Sequence, residues 1–134
     1  PEPSVHGFDV VDQAQRDAVD EVRACFAAYE AALLANDVEA MDGWFWDDPA
    51  VVRFGIAECQ YGPEEIAAWR RRAAPVPADR RHVRTTFTAH GPDLVVGTLE
   101  FVNGEAPGRG RQSQLWRRTP DGWRVVHAHV SMMG

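Results

Sequence analysis

The stretch GRGRQSQLWRRTPDGWRVVHAHVSMMG, residues 108–134, decides the fold. It predicts two long strands joined by a tight turn at Pro120-Asp121-Gly122, because proline presets φ at the first corner and glycine tolerates the positive φ that follows. Before the turn, Gln112, Gln114 and Trp116 recur with a period of two, which puts them on one face of a strand. The sequence therefore predicts a β-hairpin whose amide and indole side chains form one wall of a pocket.

Upstream of this hairpin, the pattern predicts three helices at about 12–36, 38–44 and 62–73. A short hairpin is expected over 51–61, and two longer strands are expected over 82–89 and 94–103. Helices on one side of an antiparallel sheet define an α+β architecture. We predict a cone-shaped, curved, mostly antiparallel sheet with three N-terminal helices, forming a single domain over residues 11–134 behind a flexible arm over residues 1–10. The inside of such a cone is a natural site for a small molecule.

Composition and charge exclude several classes of function. The net charge is −6 and basic residues are mixed with acidic ones, which argues against nucleic acid as a partner. All 14 basic residues are arginines, so neither a Schiff-base lysine nor a P-loop lysine exists in this chain. No apolar run approaches the roughly 18 residues that span a membrane, and Cys25 and Cys59 lack a metal or redox spacing. We expect a cytoplasmic protein without nucleic-acid or membrane partners.

Two blocks of sequence carry a resemblance to a known family. They are FAAYEAALLANDVEAMDGWFWDDPAVVRFGIAECQYG, residues 26–62, and GRQSQLWRRTPDGWRVVHAHVSMM, residues 110–133. The order of elements resembles the nuclear transport factor 2-like fold, and the two blocks together are similar to the AtzH-like family, which includes the oxalurate-catabolism protein HpxZ. The resemblance implies a curved sheet that cups a pocket, and a homodimer or dimer-based oligomer formed through the sheet. It also implies association with amidase-type enzymes of purine or triazine breakdown.

The resemblance further implies a catalytic pair. One branch of the family removes a carboxyl group from 1,3-dicarboxyurea with a tyrosine of the first helix and an arginine of the first strand, which match Tyr29 and Arg53. From the residues alone, the pattern favours Tyr29 as a core residue on the apolar face of the helix, with its hydroxyl bonded to the backbone, and the resemblance reverses that preference. Arg53 lies in the apolar stretch VVRFG, where it either pairs with Glu58 or binds a substrate carboxylate.

Other polar and aromatic residues complete the candidate site. Gln112 and Gln114 are expected to bind a urea-like group, since an amide side chain matches the donors and acceptors of another amide, and Trp46 is expected to contact substrate at the pocket mouth. His127 and His129 form an H-x-H pattern without a third ligand, so we predict no metal and no cofactor. The arginines at 70–72 and 80–81 are interpreted as a solvated helix end and a loop.

These observations predict a cofactor-free enzyme that decarboxylates or hydrolyses an N-carboxylated urea or a related small anionic amide. Arg53 would anchor a carboxylate, and Tyr29 would donate a proton. The alternative is a non-catalytic binding or assembly subunit that accompanies an amidase in purine or oxalurate breakdown.

Overall fold

The computed structural model describes the backbone of residues 3–134 and the side chains of residues 12–134. Along the chain the elements are α1 (Pro3–Ala35), α2 (Val38–Gly43), β1 (Val52–Phe54), β2 (Cys59–Tyr61), α3 (Pro63–Arg72), β3 (Arg80–Ala89), β4 (Leu94–Asn103), β5 (Arg109–Thr119) and β6 (Gly122–Met133). The predicted α+β class with three helices ahead of the long strands is confirmed.

The flexible arm predicted for residues 1–10 overlaps the first helix, α1. Residues 1 and 2 lie outside the described residues, and α1 already includes residues 3–10. The flexibility of this segment stays a prediction.

The six strands form one open sheet in the order β2-β1-β6-β5-β4-β3. The long strands β3 to β6 pair antiparallel as a meander, and the short hairpin of β1 and β2 is attached to β6 through a parallel pairing of β1. The sheet is therefore mostly antiparallel, as the sequence predicts. Two register shifts, between His82 and Arg84 and between Leu115 and Trp116, mark bulges that increase the local twist.

The turn between β5 and β6 lies where the sequence predicts it. Thr119 pairs with Gly122 across a two-residue loop, and Gly122 has a φ of 104°, a conformation that favours glycine. The Thr119 hydroxyl donates to the Gly122 carbonyl oxygen at 2.7 Å and accepts from the Asp121 backbone N–H at 3.2 Å. This local network fixes the register of the two strands.

The helix α1 packs along the sheet through residues at three- and four-residue spacing. Val22, Phe26 and Tyr29 are all buried in the core, which follows from their position on one helical face. The helix ends at Ala35, and the next residue, Asn36, has a φ of 53°. The Asp37 side chain then accepts from Ala40 N to begin α2. No helix in the described part of the chain is long and apolar enough to cross a membrane.

Candidate active site

A cavity of about 290 Å³ lies between the sheet and the helices α1 and α3. Small-molecule sites are typically apolar clefts of this kind that contain a few placed polar groups. Tyr29, Arg53, Gln112 and Gln114 line this cavity, and Trp46 does not. The structure therefore brings four of the five residues predicted for catalysis or binding around one space.

The floor of the cavity follows from the register of the strands. Arg53 of β1 pairs with Ala128 of β6, Ala128 pairs with Gln114 of β5, and Gln114 pairs with Gly97 of β4. Side chains in such a row share one face of the sheet, and neighbouring strands are about 4.8 Å apart. Because Ala128, which lies between them in this row, has a small side chain, the space between the Arg53 and Gln114 side chains stays open.

Arg53 is held by polar groups on one side and an aromatic ring on the other. Its Nη1 donates to Glu58 Oε1 at 3.1 Å and to Gln60 Oε1 at 2.9 Å, and its Cζ lies 3.6 Å from the centroid of the Trp69 ring. Burial lowers the pKa of Arg53, while the Glu58 hydrogen bond and the nearby Tyr29 phenol act in the opposite direction. The predicted contact with Glu58 is therefore present, and it coexists with a position in the cavity wall.

Tyr29 reaches the cavity from α1. Its side chain is buried, and its ring is tilted against Phe45 at a centroid distance of 6.0 Å. Tyr29 is therefore both a core residue of α1 and a part of the cavity wall. The hydroxyl can donate to a molecule in the cavity.

Gln112 and Gln114 lie on the buried face of β5, where the sequence predicts that they share a face with Trp116. The Gln114 Oε1 accepts from Trp116 Nε1 at 3.0 Å, and Gln114 lines the cavity. The Gln112 Nε2 is buried and has no partner within the protein. The unpartnered Gln112 Nε2 can therefore donate to an oxygen of a bound molecule.

Trp46 lies outside this group, and Phe45 takes its expected place. Phe45 forms a β-bridge with Val125, and in this extended segment neighbouring side chains point in opposite directions. Phe45 lines the cavity and also borders a separate depression, whereas Trp46 lines only that depression, with the Arg117 Cζ 5.3 Å from its ring centroid. The prediction that Trp46 contacts substrate in this cavity is therefore corrected by the direction of its backbone.

His127 and His129 lie on the other side of the sheet. Both pack against Phe54, with ring centroids 5.9 and 5.6 Å away. Within the part of the chain that the structure describes, no group of three or more His, Cys, Asp or Glu residues is placed to hold a metal ion. The H-x-H pattern here forms an aromatic packing contact between β1 and β6.

Two arginines that the sequence analysis assigned to solvent also line the cavity, which corrects that interpretation. Arg70 is only 5% exposed, and its Nε donates to Asp42 Oδ1 at 2.8 Å. The Arg80 side chain is also 5% exposed, and its Nε and Nη2 donate to Glu30 at 3.1 and 3.3 Å. Both were missed because each begins a run of arginines that resembles a charged surface.

Helical periodicity would have separated Arg70 from its neighbours. It follows Ile66 by four residues, so the two share a face of α3, and Ile66 is 1% exposed. Arg71 and Arg72 point to solvent. No comparable signal distinguishes Arg80, because its burial depends on Glu30, which is 50 residues away in the chain.

Comparisons with known proteins agree with this architecture. A model of the AtzH-like family matches residues 10–134. A solved cystatin-like fold protein from Burkholderia xenovorans is 48% identical, with 88% of this chain and 93% of that chain covered and a TM-score of 0.85. A protein of unknown function from Pectobacterium atrosepticum is 42% identical, with coverages of 90% and 94% and a TM-score of 0.85.

More distant structures share the fold alone. A nuclear transport factor 2-like protein of unknown function from Pseudomonas putida is 20% identical, with 87% of each chain covered and a TM-score of 0.71. A search among curated proteins finds no match. The fold and its cavity are compatible with a small enzyme or a ligand-binding protein.

Proposed function

The chain belongs to the AtzH-like family, and we propose that it is a cofactor-free enzyme that removes the carboxyl group of a small N-carboxylated urea or related anionic amide. The observation that carries the proposal is that Tyr29 and Arg53 line one cavity together with Gln112 and Gln114. A proton donor, a cation and two amide donors are the groups that such a reaction needs.

The charge distribution supports a role for Arg53 in holding a carboxylate. Its guanidinium is buried, so its charge is poorly hydrated. Both of its hydrogen bonds, to Glu58 and to Gln60, are donated by the same nitrogen, Nη1. Arginine suits planar carboxylates through paired hydrogen bonds. An anionic ligand would therefore be attracted to this part of the cavity and would be oriented by it.

In the proposed reaction, the bond between nitrogen and the carboxyl carbon breaks and carbon dioxide leaves. The electron pair of that bond stays on nitrogen, and the nitrogen takes the hydroxyl proton of Tyr29. Water then returns a proton to the phenolate and leaves hydroxide. Gln112 and Gln114 would orient the urea portion by donating to its oxygen, and Arg53 would stabilise negative charge near the reacting carboxylate.

The proposal includes a biological setting. We assign the protein to oxalurate or purine nitrogen breakdown, of the HpxZ type, in the cytoplasm and beside an amidase. We also propose a homodimer or dimer-based oligomer. Support for the assembly is that the sheet is open, with β3 as one of its edges, and an unpaired edge strand suits contact with a second copy.

The test compares Tyr29→Phe with Tyr61→Phe, a matched control because Tyr61 is 58% exposed and lies outside the cavity. Carbon dioxide release from 1,3-dicarboxyurea is measured against the spontaneous rate. Loss of the proton donor is expected to lower kcat by about 10²- to 10⁴-fold with little change in KM, while Tyr61→Phe behaves as the parent protein.

Two outcomes would contradict the proposal. One is a parent protein that releases carbon dioxide no faster than buffer, and the other is an unchanged kcat in Tyr29→Phe. A protein that binds the compound without accelerating its breakdown would support the alternative of a non-catalytic binding or assembly subunit.

A further inference from the structure

Three buried side-chain atoms in residues 12–134 lack a hydrogen-bond partner within the protein, and all three belong to residues that line the cavity. They are Nη2 of Arg70, Nε2 of Gln112 and Oδ1 of Asn103. Native proteins pair nearly all of their buried polar groups, so each exception needs an explanation. Their concentration around one cavity indicates that a bound molecule supplies the missing partners.

Arg70 is fixed in place by the rest of its side chain. Its Nε donates to Asp42, its Nη1 contacts Met41 Sδ at 3.5 Å, and its Cζ lies 5.1 Å from the centroid of the Phe45 ring. The guanidinium therefore cannot turn toward solvent without breaking these contacts. Nη2 is left as a charged donor in a preorganised position, which reduces the entropy lost when a ligand binds.

Arg70 lies near Arg53, but the two side chains have different hydrogen-bond partners. Both lie over Trp69, with Cζ 3.6 Å from the ring centroid for Arg53 and 5.8 Å for Arg70. The two guanidinium carbons are therefore at most 9.4 Å apart, the sum of these distances. A small molecule can touch both groups, and its negative charge would offset their mutual repulsion.

We propose that Arg70, Gln112 and Asn103 form a second recognition point in the cavity, which binds a ligand that presents two oxygen acceptors, one of them anionic, and one N–H donor. Arg70 binds the anionic oxygen, Gln112 donates to a carbonyl oxygen, and Asn103 accepts the N–H. With Arg53 as the first anion contact, this arrangement makes Arg70 the residue that selects ligands with two negative groups over ligands with one. The inference rests on the proposed function for the class of ligand, a small anionic amide.

The test measures binding by isothermal titration calorimetry with two stable probes, 1,3-bis(carboxymethyl)urea and carboxymethylurea. The first carries two carboxylates and the second carries one. The parent protein is expected to bind the dianion at least about tenfold more tightly, the usual contribution of one charge-assisted hydrogen bond. Arg70→Gln is expected to abolish this preference while leaving the affinity for the monoanion within about twofold.

The matched control is Arg71→Gln, which removes the same charge from the exposed neighbour in α3. It is expected to keep the preference for the dianion. Thermal unfolding of each variant reports whether it is folded. Gln112→Met is an independent test variant, because it removes another unpartnered donor. It is expected to weaken the binding of both probes at least threefold.

Three results would overturn the inference: the same dianion preference in folded Arg70→Gln as in the parent, unchanged binding in Gln112→Met, or no binding of either probe to the parent at millimolar concentration. Because these probes do not decarboxylate, the measurement is independent of turnover. An Arg70-dependent preference in a protein that releases no carbon dioxide would uphold the second recognition point and reject the proposed reaction.

Discussion

The inner face of the sheet is filled at one end and hollow at the other. At the filled end, Val22 of α1 packs in the core with Val95, Trp116 and Val125, and each of these side chains is fully buried. The hollow end begins at Gln114, which precedes Trp116 by two residues in β5 and lies on the same face. Polar side chains surround the cavity from there on. The helix α1 spans both regions, and α3 supplies Trp69 and Arg70 to the wall of the hollow end.

The two ends differ in what their burial does for stability. Burial of an apolar side chain at the filled end contributes about 1.5–3 kcal/mol. At the hollow end, each unpartnered buried polar atom costs about 1–3 kcal/mol, and all three such atoms found in residues 12–134 are there. A protein retains groups of this kind where function requires them. The filled end stabilises the fold, and the hollow end lowers its stability, a cost that the proposed ligand site would explain.

The largest effect is expected from opening the filled end. Trp116→Ala removes a fully buried indole and its hydrogen bond to Gln114, so it should lower the free energy of unfolding by about 3–5 kcal/mol. Urea denaturation followed by far-ultraviolet circular dichroism measures the change. Ile56→Ala at the cavity mouth, where Ile56 is 64% exposed, serves as the control and should change stability by less than about 0.5 kcal/mol. A loss below 1 kcal/mol for Trp116→Ala would erase the distinction between the two ends.

An intermediate effect of opposite sign is expected at the hollow end. Gln112→Leu removes a buried donor that has no partner, so the free energy of unfolding should rise by about 1 kcal/mol. Gln60 is buried to a similar extent, but it accepts a hydrogen bond from Arg53, so Gln60→Leu should lower stability by about 1–2 kcal/mol. Paired denaturation curves test both signs. A destabilised Gln112→Leu would mean that this side chain serves the fold rather than the ligand.

The smallest effect concerns the rim of the filled end and depends on pH. The hydrogen bond from Trp123 Nε1 to Glu21, at 2.8 Å, and the nearby Arg118 hold the pKa of Glu21 below its usual value of 4.5. A carboxyl group with a lowered pKa stabilises the fold at pH values above its unfolded-state pKa. This contribution is lost as the pH falls through its folded-state pKa. Because Glu21 is largely exposed, Glu21→Gln should cost less than about 1 kcal/mol at neutral pH.

The difference between Glu21→Gln and the parent should shrink as pH falls through the folded-state pKa of Glu21, below which the carboxyl group is protonated in both the folded and unfolded states. Thermal unfolding as a function of pH measures this convergence. Glu105→Gln, on an exposed loop, is the control and should match the parent at every pH. A difference for Glu21→Gln that persists at low pH would assign the effect to packing instead of charge.

Local patterns predicted the strand faces well. The period of two in Gln112, Gln114 and Trp116 placed all three on one face, and the structure confirms that this face is buried. The turn at Pro120-Asp121-Gly122 was equally local, since proline and glycine restrict their own backbone. Which side of the strand faces the helices could not be read from β5 alone, because a strand has two faces and period-two alternation does not distinguish them.

Long-range pairing limited what could be predicted of the site. The run of arginines at 70–72 is uniform in sequence, yet α3 buries one of them beside Asp42 and leaves two in solvent. The Arg80 side chain is buried beside Glu30 of α1 and against the Phe101 ring, both distant in the chain. Trp46 was misplaced for a similar reason, since the bridge between Phe45 and Val125 sets the direction of its side chain.

By itself, the sequence determined the class of fold, the order of the elements, the closing hairpin and four of the residues around the cavity. These features depend on local periodicity, turn chemistry and two motif blocks, all of which are present within short segments of chain. Tertiary structure alone decided that the site contains a second, partly unpartnered arginine, and that Phe45 rather than Trp46 faces it. The physical reason is that burial of a charge depends on partners brought from distant segments, which only the folded chain assembles.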